Sequence, residues 1–412
     1  MTTYYVKDQT EFNNAVKIAS SGDAIALASG TDDALSITSM HFDQDVKITS
    51  IDIEKPAILT GLAIKDSSGL TISNVDLSSD GKDYFDFSVY DSDDIHFNNV
   101  TVYGPDNIGS GEEATSFLIR NSTNVSVANS EFYHLFHGIS LSDNDGVVVK
   151  NNYIHDIRSD GVHGGGNSNM EIADNFFTNF CPAEVDHADA IQVWTTHTTE
   201  IAKNIAITGN VFVRGDGAPA QGIFVQDEVG TLPFENVVIT GNTIIGGMYN
   251  GITIAHATSG LIANNLVLGY EDQLSWIRTK NDVNVVVENN VSTGYAFQTG
   301  GEEQLVNNTK VDLTNYDLNT LLNDWSKAHA LETAAISKLY SSLEIAPDNT
   351  TSGHTDTSNG STDDVASPAV LPSTPVDVTL EPDTVSVTPV KSIEVEAGRG
   401  RLYMNHDEDV GI

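Results

Sequence analysis

The chain has 412 residues, 39% of them hydrophobic, and its 58 acidic side chains outnumber 19 basic ones for a formal charge of −39. So acidic a protein is excluded from sequence-independent nucleic-acid binding, which needs clustered Lys and Arg, and is disfavoured at an anionic membrane surface. The single cysteine, Cys181, excludes an intrachain disulfide framework and a Cys-based zinc site.

Residues 1–45 read as an N-terminal cap with the first strand. The segment "TEFNNAVKIASSGDAIALASG" places Phe12, Ala15, Val16, Ile18 and Ala19 on one face of a short amphipathic helix. Such a helix would cover an open end of strand edges.

Residues 46–298 are repetitive. Ten runs, from "DVKITSIDI" through "NVSVANSEF" and "NIAITGNVF" to "NVVVENNVS", alternate with period 2, bend at Asn or Gly, and resume an apolar strand. Asn, Ser or Gly recurs at the bends, and the column expected to stack is Asn74, Asn99, Ser130, Asn152, Asn175, Asn210, Asn242, Asn265 and Asn290. Asn suits a bend because it tolerates left-handed backbone and its amide can bond to the Asn above and below. Short-strand repeats of 20–35 residues mean a solenoid, in which sequence period becomes spatial adjacency. The expected architecture is all-β, a parallel β-solenoid of roughly ten coils about 45–50 Å long.

Residues 299–345 have apolar spacing of three and four and read as a helical cap at the far end. Residues 346–395 are rich in Ser, Thr, Pro and Asp and read as a linker, and 396–412 as a terminal anchor or secretion peptide. No apolar run of 18 residues suggests a membrane span, and no basic-then-apolar leader follows Met1. An extracellular or virion-associated protein is expected, with a homotrimer or particle attachment through the tail.

A second periodicity carries the chemistry. An aliphatic residue followed by an outward one recurs at Ile119-Arg120, Ile139-Ser140, Val162-His163, Ile191-Gln192, Ile223-Phe224, Ile252-Thr253 and Ile277-Arg278. Three residues earlier a parallel column holds Phe117, His137, Asp160, Asp189, Gln221, Asn250 and Ser275. His137, Asp160, His163, Asp189 and Gln192 therefore fall on three consecutive coils, with Asp186 and His187 on the loop leading in. Arg120 lies to the N-terminal side; Gln226, Arg278 and Lys280 lie to the C-terminal side. Tyr153, His155, Asp156 and Arg158 occupy the neighbouring strand and turn.

This set fits chemistry on an acidic sugar. A base takes the C5 proton of a uronate, an acid serves the leaving oxygen, and a cation neutralises the carboxylate. An Asp beside a His fixes its tautomer and raises its basicity. Two alternatives stand: Asp160, Asp186 and Asp189 as carboxylates for glycoside hydrolysis, and a metal on the His and Asp cluster. No HxH or HExxH spacing marks a transition-metal site, so none is assigned; Ca²⁺ on loop carboxylates is the more plausible ion. The run Gly164-Gly165-Gly166 reads as a loop that admits a ligand or backbone closely.

The opening "YYV…FNNAVKIASSGDAIALASG" and the Asn-laddered coils resemble the right-handed parallel β-helix superfamily of polysaccharide lyases and mannuronan C5-epimerases, over about residues 3–298. Phage tailspike depolymerases share the fold. The resemblance implies an enzyme that cleaves or epimerises an acidic polysaccharide, with a glycan-binding tailspike or adhesin as the alternative. Alginate epimerases carry Asp-Pro-His-Glu on a central coil, and Val185-Asp186-His187-Ala188-Asp189 is similar without the Pro. That similarity implies His187 as base, Asp186 as its partner and Tyr153 as acid. "SDGVHG" (159–164), "HADAIQ" (187–192) and "WIRTK" (276–280) loosely echo the polygalacturonase branch.

Overall fold

The computed structural model describes residues 1–30, 32–82, 84–105, 117–298 and 304–312. Nine of the ten expected runs become a strand, a two-residue bend and a second strand; in the first, "DVKITSIDI", only the opening residues are strand, as the end of His41–Ser50. "NIAITGNVF", for example, gives Lys203–Thr208 and Val211–Val213. Alternating β-branched residues drive this, because one face of each strand can be buried on the pleat. Ile205 and Ile207 are buried to within 1% while Lys203 and Asn204 stay exposed.

The named strands form three stacked columns, and every pairing between them is parallel. The first column is a 13-stranded sheet running from Thr3–Val6 to Gln304–Val306. It holds the ten expected strands, two from the cap and one beyond residue 298. Its twelve spacings of about 4.8 Å make a stack about 58 Å tall. The last two described strands, Gln304–Val306 and Thr309–Lys310, continue the coils past the expected boundary. The helical cap expected over 299–345 is therefore strand at these positions; the rest of it, with the linker and terminal peptide, lies outside the described residues.

The core is built of stacked apolar columns, two of them on the first sheet. Val125, Val147, Met170, Ile205 and Val237 lie in register on successive coils. The N-terminal helix, Gln9–Ile18, is capped by the Asp8 carboxylate, which accepts the Glu11 N–H at 2.9 Å. It seats Phe12, Ala15 and Val16 in the core. Ile18, expected on that face, is 63% exposed because it falls at the helix C-terminus, where the chain turns away.

The Asn ladder divides its two expected jobs between adjacent residues. From Asn152 to Asn290 each backbone N–H donates to the Oδ1 of the Asn one coil on, at 2.9–3.1 Å. Each Nδ2 in this run also donates to a carbonyl one coil back, such as Val127 for Asn152. The left-handed bend belongs to the residue before: Asn151, Asp174, Asn264 and Asn289 have φ of 53–57°. Asn74 and Asn99 belong to that bend column, with φ of 53° and 55°, and are not ladder rungs. On their coils Val75 and Val100 fill the buried position. Among the described residues no helix is long and apolar enough to cross a membrane.

Candidate active site on the third face

The strands Ile139–Ser142, Val162–Gly165, Asp189–Trp194, Gln221–Gln226, Tyr249–Ala255 and Ser275–Lys280 stack in parallel. Their register puts Ser140, His163, Gln192, Phe224, Thr253 and Arg278 in one outward column, as the phrase predicts. Arg120 departs from it, stacking on Ser142 rather than Ser140. A shift of two residues keeps every side chain on its expected face, so the alternation alone cannot detect it. Phe117 is likewise in the core, paired with Phe87. A bulge between Asn250 and Ile252 sets Ser275 beside Tyr249 and takes it out of the second column.

The middle of the second column converges as expected. Asp160 Oδ2 lies 3.3 Å from His137 Nδ1 and 3.2 Å from His163 Nδ1, and the two imidazoles stack with centroids 3.9 Å apart. Asp160 Oδ1 accepts the Asp189 N–H at 3.0 Å, tying this coil to the next. Ser140 Oγ holds His163 Nε2 at 2.7 Å, and the Trp194 ring makes a T-shaped contact with the same imidazole. Burial, with His163 beside it, pushes His137 down to about 4. Burial alone would raise the Asp160 carboxyl; His137 and His163 outweigh it and hold it well below the usual carboxylate range.

One coil on, His187 Nδ1 stands 2.9 Å from Asp189 Oδ2. Asp189 is fully buried, and neither carboxylate oxygen has an aligned hydrogen-bond donor. Burial drives its carboxyl up to about 7 against the pull of His187. Contact with Asp189 in turn raises His187 to about 9, against the effect of burial. The His187 side chain keeps 56% exposure, so this pair has one buried end and one end in the groove. The Gln221 amide abuts His187 Nε2, and Asn250 donates to Gln221 Oε1 at 2.5 Å.

Other expected residues fall elsewhere. Asp186 is not the partner of His187. It takes Arg158 Nε at 2.7 Å and Nη2 at 3.2 Å, and the Ala183 N–H at 2.8 Å, fixing the loop that carries His187. Arg158 also lies over the Phe136 ring. Tyr153 joins a different group, stacked on His155 at 4.1 Å and packed by Phe176. Gln192 stacks between His163 and Phe224, and Gln226 between Trp194 and Ala255. Arg278 and Lys280 sit three coils C-terminal of Gln192, and Arg278 Nη2 donates to Gln298 Oε1 at 3.1 Å. The Gly164-Gly165 pair is strand rather than loop, and what approaches it is the Leu141 carbonyl. Sequence reasoning passed over Trp194, although it stands one period-2 step beyond Gln192 and so faces the same side.

A family model for the right-handed β-helix region matches residues 30–206 and, overlapping, 87–268. The chain belongs to the right-handed β-helix family. No curated protein matches this β-helix chain. Among solved structures it is similar to an alginate lyase from Paenibacillus sp. str. FPU-7, at 13% identity over 73% of this chain and 99% of that one, TM-score 0.48. PfbA, a surface adhesin of Streptococcus pneumoniae, is 14% identical over 75% and 81%, TM-score 0.47. The periplasmic alginate epimerase AlgG is 15% identical over 74% and 83%, TM-score 0.46.

Proposed function

We propose that this β-helix protein acts on an acidic polysaccharide, abstracting the C5 proton of a uronate as a lyase or C5-epimerase does. The observation that carries the reading is the His187–Asp189 pair on the groove, next to the His137–Asp160–His163 cluster on the preceding coils. His187 is the base: its side chain is 56% exposed on the groove, and Asp189 Oδ2 stands 2.9 Å from Nδ1. Asp189 itself, fully buried, touches no substrate and acts as a positioning residue. Gln192, Gln226, Arg278 and Lys280 follow along the stack, where a linear glycan would lie, and the last two supply positive charge for its carboxylates. A hydrolase resting on Asp160 and Asp189 is less well supported, because both carboxyls are buried and a glycosidic bond must lie between two accessible ones.

The test is absorbance near 235 nm on a panel of uronate polysaccharides, with and without Ca²⁺, backed by proton NMR of the polymer. New unsaturated ends, or inverted C5 centres, are expected, and His187→Gln abolishes them while glycan binding persists. Because the free base is the active form, kcat/KM should climb with pH and level off near 9, the value of His187. A rate flat between pH 6 and 9 removes His187 as base. Binding without product from any glycan makes the protein an adhesin or spike instead.

A further inference from the structure

We propose that Gln221, oriented by Asn250, is a positioning residue that holds His187 as the neutral Nδ1–H imidazole and caps its Nε2 lone pair until substrate draws the amide away. The inference rests on His187 as the base, yet its test reads the ring itself, so absence of turnover and absence of the cap are separate results.

Three observations carry it. First, His187 is gripped from two rungs of one column. Asp189 and Gln221 lie in register on consecutive coils. Asp189 Oδ2 stands 2.9 Å from Nδ1, and the Gln221 amide nitrogen meets Nε2. A carboxylate only accepts, so it draws the proton of a neutral imidazole to Nδ1 and leaves the lone pair at Nε2. An amide nitrogen only donates, so it is matched to that lone pair.

Second, the amide has a direction. Asn250 Nδ2, one coil further on, donates to Gln221 Oε1 at 2.5 Å. With Oε1 engaged there, the Gln221 amide N–H points back at His187. Third, Gln221 is only 3% exposed, so the contact is screened from water on the Gln221 side.

The charged groups facing the ring are Asp189, Asp160 on the preceding coil and Glu228 beyond the following strand, and all three favour the imidazolium. Gln221 works against them, because an N–H donated to Nε2 stabilises only the neutral form. It keeps the base unprotonated for substrate. Since Nε2 must take the proton, the cap has to open. A substrate hydroxyl or carboxylate oxygen accepts the Gln221 N–H, the C5 proton passes to Nε2, and its electron pair stays on C5 beside the carboxylate.

The experiment uses the full chain, isotopically labelled at its histidine nitrogens, titrated between about pH 5 and 10 and read by two-bond proton–nitrogen NMR. The signal missing from His187→Gln identifies the ring. Above its midpoint the wild-type ring should show a protonated Nδ1 and a bare Nε2, a readout that needs no variant to fold. In Gln221→Leu the midpoint should rise by about 0.5–1 pH unit, the equivalent of one hydrogen bond lost from the neutral form. Asn250→Leu should move it the same way, since Gln221 can then turn its carbonyl to the imidazolium. An Nε2–H tautomer in the wild type, or a midpoint unchanged or lowered in either variant, overturns the cap.

Discussion

Truncating one rung of the Asn ladder should cost far more than truncating an inter-coil hydrogen bond on the surface. Asn210→Ala removes four side-chain hydrogen bonds at once: two accepted from Asn175 and two donated, to Ile172 O and Asn242 Oδ1. Asn175 Nδ2 keeps Val149 O, and Asn242 Oδ1 keeps the Asn210 N–H, so those groups remain satisfied. The Asn175 N–H and the Ile172 carbonyl each lose a buried partner. At about 1–3 kcal/mol for each of these two groups, the substitution should destabilise the fold by about 2–6 kcal/mol. Thr196→Ala is the control. It also removes a bond between coils, Thr196 to Glu228 at 2.6 Å, but an exposed one, and should cost within about 0.5 kcal/mol. Urea unfolding followed by circular dichroism measures both. Hydrogen exchange of a peptide spanning residues 170–178 locates the effect, because the Asn175 amide should lose its protection. If Asn210→Ala and Thr196→Ala unfold at the same urea concentration, the ladder is not the device that holds the coils in register.

Two further substitutions probe the scaffold around the groove. In Gly164→Ala the new Cβ would sit 1.7 Å from the Leu141 carbonyl, at a φ of 152°, so the strand must shift; a melting temperature equal to wild type would contradict that packing. Arg158→Ala strands the Asp186 carboxylate in a nearly buried site and should weaken the loop before Asp189 by about 3–5 kcal/mol. Limited proteolysis within residues 181–188 should then accelerate, and an unchanged cleavage rate would show that the ion pair does not hold the loop.

The fold was readable because a solenoid writes its contacts as a period. All ten expected runs contribute a strand to the first column, although the end of the first run, residues 51–53, is not strand, and the column from Ser140 to Arg278 is in register. Errors came where the period is silent. The alternation cannot resolve a slip of two, so Arg120 was placed over the wrong serine. Asn74 and Asn99 looked like rungs because Asn serves both the left-handed bend and the ladder, one residue apart. The groups at the site were legible as neighbours but not as pairs. Column position brings His187, Asp186 and Asp189 together; only loop geometry shows that Asp186 turns to Arg158 and leaves Asp189 to His187.

The stacked register has a consequence for how such a protein changes over evolutionary time. Arg278 stands three coils from the level of Gln192, and each coil hydrogen-bonds only to those beside it. Duplicating or deleting one coil between them would move the cation relative to the base by a single step of about 4.8 Å, with both local environments preserved. The reach between reacting group and charge clamp is thus set in whole increments, like teeth on a rack. New repeat lengths of glycan can be met by counting coils, without redesigning a pocket.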